Sequence, residues 1–145
     1  MDWVDNFIHE YKEALPKKYR ESTFSFNRGR LEYKRKNYDE AMQLLQKAEY
    51  RDLLNNLISK TYLLKIYFEL GEFTLLESHL DTMKVFIRRK KVIGYHQTNL
   101  SNIVRYTKKI ITTNLYDKEK KAKLRKEIEV EEILTEKKWL LEQLG

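Results

Sequence analysis

Apolar residues recur along this chain at intervals of three and four, the spacing of one face of an α-helix, and seldom alternate as a half-buried strand requires. Residues 2–15 place Trp3, Val4, Phe7, Ile8, Tyr11 and Leu15 at that spacing, with Asp2 as N-cap and Pro16 as the stop. Residues 21–35 form the next predicted helix, with Phe24 and Leu31 on one face and Phe26, Gly29 and Tyr33 along another, so it is expected to be buried on two sides. After a break at Lys36 and Asn37, residues 38–50 turn Tyr38, Ala41, Met42, Leu45 and Ala48 inward. A helix over 53–70 ends at Gly71, whose freedom to take a left-handed backbone suits the position after a helix end. Residues 72–91 follow through Phe73, Leu76, Leu80, Met83 and Ile87; Gly94 breaks the chain again, and 95–113 and 117–144 complete it. Seven helices with connections of a few residues predict an all-α fold of antiparallel neighbours.

The chain also matches itself at an offset of 35 residues. Leu31 meets Ile66, Tyr33 meets Phe68, Tyr38 meets Phe73, Leu45 meets Leu80 and Ala48 meets Met83, and the break "KNY" falls on "GEF". A fixed period of this size is the signature of stacked helical hairpins. The first copy, with Gly29, Tyr38, Asp39, Glu40, Ala41 and Ala48, and the second, with Leu63, Tyr67, Gly71 and Phe73, resemble the tetratricopeptide repeat. Ser25 and Glu32 replace aromatic residues of that pattern, and Leu64, Leu76 and Met83 stand where small residues are usual, which implies altered packing angles in the second copy. Phe7, Tyr11 and Ala14 precede Ala41, Leu45 and Ala48 by 34 residues, so the first helix reads as the second half of a repeat in a longer parent protein, or else as a cap. "LYDKE" at 115–119 echoes "NYDEA", but 43 residues after the second break, which gives an elongated last hairpin. The resemblance implies one domain over 1–145, a short right-handed solenoid: a half repeat or cap at 2–16, repeat 1 at 20–51, repeat 2 at 53–91, and a divergent hairpin with a long terminal helix at 94–145.

Composition narrows the function. At 145 residues the chain is long enough for a hydrophobic core without staples, and the absence of cysteine excludes disulfide frameworks, thiol catalysis and cysteine zinc sites. Four glycines and one proline leave little turn chemistry for a sheet. No apolar run approaches the ~20 residues of a membrane span, and the acidic start is not that of a secretory signal, so a cytoplasmic address is expected. High lysine with four alanines points to an AT-rich bacterial genome. His9, His79 and His96 are scattered, no phosphate-loop, dinucleotide or nucleophile-elbow motif occurs, and "EIEVEEILTE" at 127–136 reads as a solvated helix face. The expectation is a non-catalytic protein without cofactor or metal.

Binding remains. By the resemblance, first helices of the hairpins line a concave groove for a protein or peptide segment. Asn27, Arg30 and Lys34 come from the first hairpin, and Thr61, Tyr62 and Lys65 from the second. On 95–113, the apolar Leu100, Ile103, Val104, Ile110 and Ile111 leave Asn99, Asn102, Tyr106 and Lys109 on a polar stripe. Two asparagines inside a helix lower its propensity; either their amides bond an extended peptide or they sit on a bare face. Phe26 occupies a lysine position of the family's dicarboxylate clamp, so a chaperone tail is not the expected ligand.

The net charge of +7 is concentrated. Residues 84–126 hold 14 Lys or Arg against 2 Asp or Glu, a balance of +12, while the remainder holds 15 against 20, a balance of −5. Arg88, Arg89, Lys90, Lys91, Arg105, Lys108, Lys118, Lys120, Lys121, Lys123, Arg125 and Lys126 form a candidate basic patch. It suits an acidic protein, a nucleic-acid backbone or an anionic lipid surface, or is simply solvated. A protein or peptide partner, acidic ones included, is the primary expectation; the alternative is a basic helical module that binds nucleic acid through 84–126. The apolar "WLLEQL" at 139–144 is expected to cap the array or to pair with another chain.

Overall fold

The computed structural model describes Val4 and residues 17–47, 53–89 and 94–145. Apart from Val4, the predicted helix at 2–15, its stop at Pro16, and the expectations at Ala48, Lys90 and Lys91 lie outside the described residues. Seven α-helices and no strand occur among those described: α1 (Lys17–Lys34), α2 (Tyr38–Lys47), α3 (Leu53–Glu69), α4 (Phe73–Arg89), α5 (Gly94–Thr112), α6 (Lys118–Val130) and α7 (Lys137–Leu144). None of them is long and apolar enough to cross a membrane. The chain divides into two compact units, residues 1–72 and 73–145, and this division falls inside the stretch expected to be repeat 2.

In the first unit α1 doubles back on α2, and α3 packs against both. Gly29 is why α1 and α2 approach so closely. A Cβ at this position would lie 2.8 Å from Leu45 Cγ and 3.0 Å from its Cδ2. Phe26 and Leu31 of α1, Ala41 and Leu45 of α2, and Leu57, Leu63, Leu64, Ile66 and Tyr67 of α3 fill the core. The Tyr67 hydroxyl accepts a hydrogen bond from the Gln46 amide at 2.9 Å, tying α3 to α2. Glu32 is 1% exposed and is satisfied at both oxygens. Arg35 donates to Oε1 at 3.0 Å, with Arg28 3.4 Å away, and the Asn37 amide donates to Oε2 at 2.6 Å.

In the second unit α5 is central: it packs against α4, α6 and α7, and α6 packs against α7. α4, which buries Leu76, Leu80, Met83 and Ile87, packs against α5, which buries Leu100, Ile103, Val104 and Ile110. Leu124, Ile128, Leu134, Trp139, Leu140 and Leu144 are buried as well.

One predicted element needs correction. The long helix expected over 117–144 is two helices, interrupted at 131–136 by "EEILTE", which contains neither glycine nor proline. Glu131 ends α6 in an extended conformation. Glutamates crowd that end, where the helix dipole disfavours them, and side chains of α5 supply the hydrogen bonds that continued helix would have made. At the other end, Asp117 caps α6 by accepting the N–H groups of Glu119 and Lys120 at 3.1 and 3.2 Å, which offsets the lysines of its first turns.

A cationic groove as the candidate functional site

Lys84, Ile87 and Arg88 follow one another at i, i+3 and i+4, so they share one face of α4. Gln97, Ser101, Val104, Arg105, Lys108, Lys109 and Thr112 run along a facing stripe of α5. Together these residues line a groove of about 830 Å³. Its floor is apolar: Ile87 is 6% exposed and Val104 1%. Its rim is cationic. Lys84, Arg88 and Lys108 are exposed, and none of the three has an ion pair among the described residues. Among the described residues no aromatic ring lines it.

The other two cations of the rim are held from behind. Arg105 donates to Glu131 Oε1 at 2.9 Å, to Asn102 Oδ1 at 3.0 Å and to the Tyr106 hydroxyl at 3.1 Å. Its guanidinium carbon stands 4.6 Å from the Tyr106 ring centroid. Lys109 pairs with Glu127 at 3.0 Å and lies 5.6 Å from the same ring.

The polar stripe expected on α5 is therefore not open to a partner along most of its length. Asn99, Asn102 and Tyr106 are buried. The two asparagines do bond backbone outside their own helix, but it is the chain's own 131–136, which runs through bends and a turn. The Asn99 side-chain carbonyl accepts the Thr135 N–H at 2.8 Å, its amide donates to the Thr135 hydroxyl at 3.0 Å, and the Asn102 amide donates to the Ile133 carbonyl at 2.9 Å. Only Lys109 of the stripe reaches the groove.

In the first unit, Arg30, Tyr62 and Lys65 come together. Lys65 is 8% exposed, with its ammonium 4.7 Å from the Tyr62 ring and 4.9 Å from that of Tyr33. Arg30 lies 5.8 Å from Tyr62 and 5.4 Å from Phe26. Cations thus cover ring faces that would otherwise offer stacking surfaces. Asn27 is half-buried, Lys34 is exposed, and the Thr61 hydroxyl turns back to the Leu57 carbonyl of its own helix at 3.0 Å.

The basic patch is divided. Arg88, Arg105 and Lys108 belong to the groove, whereas Lys118, Lys121, Arg125 and Lys126 of α6 line a second, shallower cavity with Glu129 and Gly145. There Arg125 donates to the Gly145 carbonyl at 2.5 Å. Arg89, Lys120 and Lys123 are exposed. The groove's Lys84, Gln97, Ser101 and Thr112 were not singled out by sequence; the one signal was the helical spacing of Lys84 and Arg88. No three His, Cys, Asp or Glu among the described residues group as a metal site would need. Compared with models of protein families, with curated proteins and with solved structures, the chain matches none.

Proposed function

We propose that this chain is a non-catalytic binding module whose α4–α5 groove takes an acidic protein segment with apolar side chains among its carboxylates. The observation that carries this reading is the pairing of a buried apolar floor, Ile87 and Val104, with a rim of Lys84, Arg88 and Lys108, which have no ion pair among the described residues. A phosphodiester backbone has no apolar surface to bury on such a floor, and nucleobases favour aromatic platforms, of which the described residues of the groove offer none. The tetratricopeptide-like arrangement belongs to the same proposal. Its support is the α1–α2 hairpin, where Gly29 admits Leu45 as the small residues of that repeat admit a neighbouring helix.

The test is fluorescence anisotropy with two labelled probes, a glutamate-rich peptide carrying leucines and a single-stranded oligonucleotide, each titrated with the chain across a range of salt. The expected result is peptide binding that persists at moderate salt and is abolished by Arg88→Glu with Lys108→Glu. Preference for the oligonucleotide, with affinity falling log-linearly in salt, would assign the groove to nucleic acid instead.

A further inference from the structure

Among the described residues, two of the five cations that line the groove are already engaged, and by carboxylates of this chain. Glu131 holds Arg105 at 2.9 Å and Glu127 holds Lys109 at 3.0 Å. The segment that supplies them, residues 127–136, interleaves glutamates with Ile128, Val130, Ile133 and Leu134. It has the chemistry assigned above to the partner.

Resting on that reading of the groove, we propose that residues 127–136 act as a resident competitor: Glu127 and Glu131 hold Lys109 and Arg105 back, and a bound partner's carboxylates displace them. The geometry suits exchange. All four side chains are 29–49% exposed. An ion pair so open to water contributes weakly, roughly fivefold or less in an equilibrium constant. The segment's backbone is anchored separately, through Asn99 to Thr135 and Asn102 to Ile133. Its glutamates can therefore release the cations without the segment leaving α5, and Arg105 keeps its contacts to Asn102 and Tyr106 as it changes carboxylate.

The test uses the full chain and a fluorescein-labelled peptide of sequence EIEVEEILTE, read by anisotropy at low and moderate salt. Glu127→Gln with Glu131→Gln is expected to tighten binding by about 3- to 20-fold at low salt, two weak pairs being removed, with the gain shrinking as salt rises. The control, Glu129→Gln with Glu132→Gln, removes the same charge from exposed residues that do not line the groove and have no ion pair among the described residues. It is expected to tighten binding clearly less than the first variant, with any gain lost at moderate salt. Wild-type affinity in the first variant, or equal tightening in both, overturns the competitor while leaving the groove reading in place. If neither the wild type nor the first variant binds the peptide, the groove reading fails and the competitor fails with it. An unchanged Thr135 amide resonance shows that the segment keeps its place in each variant.

Discussion

Lys36 and Gly71, 35 residues apart, hold the same left-handed backbone, at φ of 65° and 73°. Each closes its helix with the same pair of bonds. The Lys36 N–H reaches the Tyr33 carbonyl and the Asn37 N–H that of Glu32; the Gly71 N–H reaches Phe68 and the Glu72 N–H reaches Tyr67. This double closure satisfies carbonyls that a helix end leaves open. The internal period of the sequence is thus repeated in backbone geometry, with glycine at one copy and a strained lysine at the other.

Lys36 is exposed, and its left-handed conformation costs roughly 1–2 kcal/mol relative to glycine, partly offset by the greater entropy glycine loses on folding. Lys36→Gly is therefore expected to stabilise the protein by about 0.5–1 kcal/mol. Urea unfolding monitored by circular dichroism measures this directly; a loss of stability would mean that the lysine side chain contributes more than the strain costs.

The Gly29–Leu45 approach predicts the opposite response. Alanine at 29 gains about 1 kcal/mol in helix propensity, but its Cβ would meet Leu45 Cγ at 2.8 Å inside a packed core. Overpacking of this kind costs about 1–3 kcal/mol. Gly29→Ala is expected to destabilise the wild type, yet to be neutral or stabilising in a Leu45→Ala background, where the obstructing atoms are gone. The sign change across that double-mutant cycle is the measurement; a penalty of equal size in both backgrounds would place the obstruction elsewhere.

These two sites also show what could be read in advance. The alignment of "KNY" with "GEF" is a local matter, since each turn is closed by bonds among residues at most five positions apart. The interruption at 131–136 is not local. It depends on Asn99 and Asn102, more than 30 residues upstream, and no glycine or proline announces it. The asparagines were conspicuous within an amphipathic helix, but their partner lay on a segment whose apolar spacing is compatible with unbroken helix. The groove was half legible for a similar reason. Lys84 and Arg88 share a helix face by spacing alone, whereas their alignment with Arg105 and Lys108 depends on how α4 and α5 pack.

The Asn99–Thr135 pair is open to a direct test. Asn99→Ala removes both bonds and leaves the Thr135 N–H without its acceptor, a loss of about 1–3 kcal/mol if water cannot replace it. Thr135 is exposed, so a value near 1 kcal/mol is expected. Hydrogen exchange at the Thr135 amide should accelerate about fivefold or more, ahead of the core amides of α5. Uniform acceleration throughout the second unit would instead make the asparagine a determinant of global stability.

Alkaline pH tests the first unit. Burial lowers the pKa of Lys60 in α3 from the usual 10.5, because the folded state solvates its ammonium poorly. At neutral pH the lysine is charged in both states and folding bears that penalty. As pH rises through the lowered value, the folded protein loses the proton before the unfolded chain does, so stability rises until both are neutral above 10.5. Tyr38 acts in the opposite sense. Burial, and then the charge of Glu69, raise its pKa above 10.0, so its contribution is lost as pH climbs through the folded value. The two effects overlap in the wild-type pH profile, but the Tyr38 contribution cancels when the wild type is compared with Lys60→Met, which keeps an apolar stem of similar reach. The variant is expected to be the more stable at neutral pH, with the difference narrowing steadily toward pH 10.5. Paired denaturant titrations across that range decide it: a difference that stays constant or widens would show that the effect of the substitution comes from packing and not from the buried charge.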